Sequence, residues 1–263
     1  PLALHEFNFV TNLTTKPVKV ALPGPYLLTR TMWMECIADK AYTSREELAV
    51  DIVRVLKEEI HFLLAAGVSI VQLDEPVLTE VVMTGPKNAR TFMCGALSER
   101  GQIDDELNFA RQLINAVTSG LPSERLGLHV CRGNWSPDET VALSGDYRAL
   151  LPLFAQINVG TLFLEYCTPR AGDLDLIKEL PDSMRVGLGV VNPKDAKVES
   201  VDAILTKARR AIEMIGADRL LLNPDCGFAT FADNPITASD VAEAKLRAIV
   251  QAAAILKDQE KLA

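Results

Sequence analysis

The residues best suited to chemistry stand at the polar ends of short apolar runs. In LGLHVCRGN, residues 126–134, His129 and Cys131 are two apart, and alternate residues of a strand share a face, so an imidazole and a thiol can point the same way. Glu165 closes TLFLE and Cys226 follows LLLNPD. Imidazole, two thiolates and a carboxylate make a donor set that zinc accepts in tetrahedral geometry, so His129, Cys131, Glu165 and Cys226 are candidates to converge on one ion. Each has a plainer alternative. A cysteine in an apolar run is ordinarily an inert core residue, Glu165 can pair with Arg132 or Arg170, and His129 can be a packing histidine.

Two further groups sit at strand ends. Asp74 and Glu75, in VQLDEP, are a carboxylate pair suited to binding a substrate ammonium or relaying a proton; their alternative is capping of the helix that follows Pro76. Arg132 offers a clamp for a carboxylate or phosphate, with an ion pair as its alternative. The turn LPGPY, residues 22–26, offers backbone amides to an anion, although Gly and Pro mark plain turns as well.

The elements that must carry these residues alternate. Runs at 18–25, 68–76, 125–134, 161–167, 185–193 and 219–227 are apolar without strict alternation, the pattern of parallel strands buried on both faces. Amphipathic helices are expected at 44–66, 104–120, 146–157, 172–180, 198–215 and 238–258. The first has Ser44 as cap, Glu47 as its capping-box partner and Gly67 as its end. No GxGxxG turn occurs, which disfavours a dinucleotide fold, and polar residues collect where a barrel keeps its catalytic face. The expected fold class is α/β, a TIM (β/α)8 barrel forming one catalytic domain over 1–263, seen without its first one or two strands. Residues 1–17 are expected to hold at most one weak strand.

Bulk properties narrow the function classes. The net charge of -8, from 27 basic and 35 acidic side chains, disfavours a nucleic-acid surface. No apolar run approaches the roughly 18–20 residues that span a bilayer. Five widely spaced cysteines suit a reducing, cytoplasmic location. Cys36 and Cys167 read as structural residues, and the stretch 83–103, with Cys94, has the length and polarity of a lid. The chain opens at Pro1 without a methionine, so a preceding segment is an expectation too.

At VQLDEP, HVC, FLEY and LNPDCG the sequence resembles the cobalamin-independent methionine synthase family, its C-terminal catalytic barrel and its short stand-alone homologues, from about residue 18 to residue 230. The resemblance implies zinc held by His129, Cys131, Glu165 and Cys226, homocysteine as the thiol that attacks a methyl group, and Asp74 on the amino group of that thiol, a role Glu75 is allowed to share. It also implies two barrel strands before the first one seen here, supplied by a missing segment or by a second chain; a homodimer is a further expectation. One departure concerns the methyl donor. Where the long enzymes end a strand in DIHSPR, this chain has LGVVNPK, placing Val191 or Asn192 at the position of a histidine with a proton-transfer role. Asn192 is therefore a candidate substrate-binding residue, with the donor either methyltetrahydrofolate or a corrinoid protein. The remaining readings keep the zinc but alkylate the thiol from an epoxide, or treat the chain as a scaffold with a degenerate site.

Overall fold

The structure is a computed structural model that describes residues 1–33, 40–83, 101–133, 136–231 and 234–260. The strands β1 (Lys19–Pro23), β2 (Ile70–Asp74), β3 (Leu126–Val130), β4 (Thr161–Leu164), β5 (Arg185–Val191) and β6 (Leu220–Pro224) form one sheet in that order. Every strand neighbours the next in sequence, and the pairs β1/β2, β2/β3 and β5/β6 are parallel. Monotonic winding is barrel topology; a doubly wound sheet would reverse its order partway. Among the described residues the sheet is not closed, and β1 and β6 are its edges. All six predicted strands are present. β3 and β4 are buried at every residue, whereas β6 is half-buried throughout, which accounts for the near-continuous apolarity of the inner strands.

The chain gathers into two compact units, Pro1–Val130 with Pro152–Leu162, and Cys131–Leu151 with Phe163–Ala263. In the first, α3 (Arg45–Ala65) is the helix predicted at 44–66. Ser44 accepts from the Glu47 amide at 3.2 Å, and Glu47 reaches back to the Thr43 amide at 2.6 Å, one residue before the expected partner. Gly67, at φ 100°, ends the run in the left-handed region that glycine tolerates. Its buried stripe, Leu48, Ile52, Leu56, Ile60 and Leu63, follows helical spacing, each burial stabilising by about 1.5–3 kcal/mol. The helix predicted at 104–120 is α5 (Ile103–Thr118).

Three elements of this unit were not read from sequence. Residues 1–17 hold a helix, α1 (Leu4–Thr11), and not a strand. The chain entering it is tied down by the buried Glu59 of α3, whose carboxylate accepts from the amides of Leu2 at 2.6 Å and Ala3 at 2.8 Å. The other two are α2 (Pro25–Met32) and α4 (Val77–Met83), beginning two and three residues after β1 and β2 end.

In the second unit, α7 (Val201–Ile215) and α8 (Ser239–Glu260) correspond to predicted helices. The helix expected at 146–157 is reduced to a 3₁₀ turn, Arg148–Leu150, running into the one-turn α6 (Leu151–Phe154) near the unit boundary. That expected at 172–180 is only 3₁₀, Leu174–Glu179, because Gly172 and Pro181 bracket a segment too short to propagate an α-helix. A small antiparallel pair, β7 (Ala229–Phe231) with β8 (Asn234–Pro235), follows β6. No helix among the described residues is long and apolar enough to cross a membrane.

Candidate functional site

His129 is the penultimate residue of β3, and Cys131 comes just after the strand, both buried. Gly133, at φ 106°, turns the chain away immediately afterwards. Cys226 lies two residues beyond the end of β6. One ligand atom from each of His129, Cys131 and Cys226 lies within 4.8 Å of the others, the one such group among the described residues. Zinc bonds of about 2.0–2.3 Å bridge that span with a small inward movement, and a nitrogen with two sulfurs is a donor set zinc accepts.

Glu165 follows β4 and is not part of this group of three. Its Oε1 accepts from the Arg132 amide at 2.9 Å, and its Oε2 lies 3.5 Å from the Arg170 guanidinium. The carboxylate is thus anchored one residue from Cys131 along the chain. The Arg132 guanidinium, in contrast, is fully buried and packs 4.2 Å from the Tyr147 ring. It donates to the carbonyls of Gly145 and of Ala171, the latter at 3.2 Å, so it braces two loops and is not presented as a clamp for a ligand.

Asp74 and Glu75 separate. Asp74 ends β2 directly opposite His129 in register, and its Oδ1 accepts from Gln72 at 2.5 Å; Gln72 in turn accepts from Lys19. Glu75 is fully buried and accepts from the amides of Tyr26 and Leu27, each at 2.8 Å, at the start of α2. The amides of the turn LPGPY and of the residue after it are thus taken by the Glu75 carboxyl and not offered to a ligand. Gly24 is required there, since a Cβ would sit 2.2 Å from Glu75 Oε1. Burial pushes the Glu75 carboxyl up, with the Asp74 charge adding, against the pull of the two amides. Glu75 therefore caps a helix, but that helix is α2 and not the one following Pro76 for which capping was expected.

Asn192 is buried just past β5. It donates through Nδ2 to Glu139, accepts the Lys194 amide at 3.0 Å, and its own amide donates to Glu199 at 2.8 Å. Lys194 Nζ donates to the Gly133 carbonyl at 2.8 Å. Desolvation, with the Arg170 charge, holds the Lys194 ammonium below its ordinary range against the attraction of Glu139, Glu165 and Cys131. Glu139 and Lys194 are not among the residues singled out from the sequence; Glu139 begins a 3₁₀ turn, Glu139–Val141, outside any motif, and Lys194 closes LGVVNPK beside Asn192. Burial likewise pushes the Cys167 thiol up, and its Sγ lies 3.7 Å from Glu199 Oε1. Cys36, and the lid expected at 83–103 except its first and last few residues, lie outside the described residues, Cys94 included.

Against known proteins, residues 1–103 and 139–255 match the family described as "Cobalamin-independent synthase, Catalytic domain". The chain belongs to this family. Among relatives of the catalytic domain, the methionine synthase of Thermococcus kodakarensis is 31% identical over 228 residues, covering 86% of this chain and 56% of the relative. The 5-methyltetrahydropteroyltriglutamate–homocysteine methyltransferase of Bacillus licheniformis is 28% identical over 231 residues, 88% of this chain and 26% of the relative. The chain spans about half the length of the Thermococcus and Pyrococcus relatives it matches. A B12-independent methionine synthase from Shewanella sp. W3-18-1, solved in complex with selenomethionine, superposes with a TM-score of 0.73 at 22% identity, covering 99% of this chain and 68% of that one. At that identity the likeness speaks to the fold alone, an α/β barrel, to which the six-stranded sheet with its monotonic order corresponds.

Proposed function

We propose that this catalytic domain belongs to a zinc-dependent methyltransferase that transfers a methyl group to the thiol of homocysteine, forming methionine. The observation that carries the reading is the gathering of His129, Cys131 and Cys226 at the ends of β3 and β6. These three residues would hold the ion, with Glu165 as the fourth ligand once its carboxylate turns from the Arg132 amide and Arg170. Zinc, when bound, lowers the pKa of a coordinated thiol so that it is a thiolate near neutral pH. In the overall reaction a sulfur–methyl bond forms and the bond from methyl to its carrier breaks, its electron pair staying on the carrier; the thiol proton is lost to solvent, and a folate carrier takes up one proton at the nitrogen that gave the methyl, whereas a corrinoid takes up none.

The rest falls to this chain's own side chains. Asp74 would bind the amino group of homocysteine and orient its sulfur, a role supported by its hydrogen bond from Gln72 and its register with His129. Glu75, capping α2, takes no part, and neither does the Arg132 guanidinium. The methyl carrier is a methylated folate or a methyl-corrinoid, faced by Asn192 and Lys194; the name of the Bacillus relative favours the folate. The test is zinc content with zinc-edge X-ray absorption, with and without homocysteine, on the parent and Cys226→Ser. One zinc per chain that gains a sulfur neighbour on adding homocysteine, and is lost or weakened in the variant, supports the reading. Metal-replete protein that binds no zinc overturns it.

A further inference from the structure

Two side chains that the proposed reaction does not use grip the backbone beside Glu165. Asp225 directly precedes Cys226 and is 2% exposed. Its Oδ1 accepts from the amides of Tyr166 at 2.9 Å and Cys167 at 2.8 Å. The carbonyls of the same two residues accept from Lys207 Nζ, on α7, at 2.5 and 3.0 Å. The two residues following Glu165 are therefore held on both edges, amides by a carboxylate and carbonyls by an ammonium.

The neighbouring strand is shaped to admit this carboxylate. A Cβ on Gly189 of β5 would lie 2.0 Å from Asp225 Oδ1 and 2.9 Å from the Leu164 carbonyl. Only glycine lets the Asp225 side chain lie across β5 to reach the segment after β4. The Asp225 amide adds a bond to the Val191 carbonyl at 2.9 Å, fixing the root of the side chain as well as its tip.

We propose that Asp225 and Lys207 are positioning residues of the metal centre, a clamp that sets the backbone of Glu165 against that of Cys226 so that both side chains reach one ion. This rests on the zinc reading above. The physical reason is tolerance: ligand distances at a metal must hold to about 0.2 Å, whereas a loose peptide after β4 would let the Glu165 carboxylate wander much further. Groups that orient ligands from outside the coordination sphere typically alter metal affinity by about 10–100-fold when removed.

The experiment measures zinc affinity by chelator competition and the visible spectrum of the cobalt-substituted protein. It compares the parent, Asp225→Ala, Asp225→Asn, Lys207→Met and Leu56→Ala, the last a cavity in α3 of the other compact unit, with urea unfolding run on each. Asp225→Ala and Lys207→Met are expected to weaken zinc about tenfold or more and to change the cobalt bands. Asp225→Asn keeps an oxygen for both amides and is expected to stay close to the parent. Leu56→Ala is expected to unfold earlier with unaltered affinity and spectrum. If Asp225→Ala does not fold, Lys207→Met decides, because its half-buried side chain contributes little core. Parent-like affinity and spectra in Asp225→Ala and Lys207→Met overturn the clamp alone, as does equal weakening in Leu56→Ala. A parent that binds no zinc overturns the zinc reading and the clamp with it.

Discussion

Replacing Glu75 separates a structural carboxylate from a substrate-binding one. Both of its oxygens are occupied by amides of α2 at 2.8 Å, in a side chain with no exposure. Glu75→Ala leaves the Tyr26 and Leu27 amides buried without that acceptor, at about 1–3 kcal/mol each, and adds a cavity, while relief of the buried carboxyl's desolvation offsets part of the loss. The net expectation is a loss of about 2–5 kcal/mol, a large share of the roughly 5–15 kcal/mol by which domains are stable. Glu75→Gln retains one acceptor and turns a donor toward the other amide, so about 1–3 kcal/mol is expected. At about 2–4 °C per kcal/mol for a chain of this size, Gln lowers the melting temperature by several degrees and Ala by more. Urea unfolding followed by circular dichroism, with zinc titration of each folded variant, is the assay. Both variants are expected to shift the unfolding midpoint and leave zinc affinity alone. A Glu75→Gln protein that unfolds with the parent yet fails to bind homocysteine would refute the capping argument and return Glu75 to the substrate.

Asp74→Asn is expected to raise KM for homocysteine about tenfold or more while leaving zinc content and the melting temperature near the parent, as loss of one charged hydrogen bond implies; an unchanged KM would remove Asp74 from the site. Gly24→Ala, which drives a Cβ to 2.2 Å from Glu75 Oε1, is expected to cost about 1–3 kcal/mol by urea unfolding, and an unshifted midpoint would contradict the close approach. Burial raises the Glu106 carboxyl, but hydrogen bonds from Arg45, from Tyr26 Oη at 2.6 Å and from the Gly101 amide, with the Arg45 charge, bring it below its ordinary value overall. A depressed folded pKa means stability that is present above the unfolded value and lost as pH falls through the folded one, so Glu106→Gln should flatten the acid limb of melting temperature against pH; parallel limbs would show that the ion pair contributes nothing.

What was legible and what was not divides along one physical line. The inner strands could be read because strands covered on both faces must be apolar nearly throughout, and α3 could be read because Ser44 and Gly67 mark its ends locally. The α1 segment could not, because the group that ties down its start, Glu59, is 56 residues away from Ala3. At the site, polar strand ends drew attention to His129, Cys131 and Cys226, which do lie together, but proximity in sequence was allowed to stand for direction. The alternation that pairs His129 with Cys131 also places Val130 and Arg132 on the other face, and the alternation that pairs Gln72 with Asp74 places Leu73 and Glu75 opposite. Arg132 and Glu75 do occupy buried framework positions, bracing loops and capping α2. The same rule sets Asp225 against Cys226, one gripping the segment after Glu165 and the other offering its sulfur to the cluster. At the ends of β2, β3 and β6, a candidate site residue therefore stands beside a buried framework residue, Asp74 by Glu75, Cys131 by Arg132 and Cys226 by Asp225.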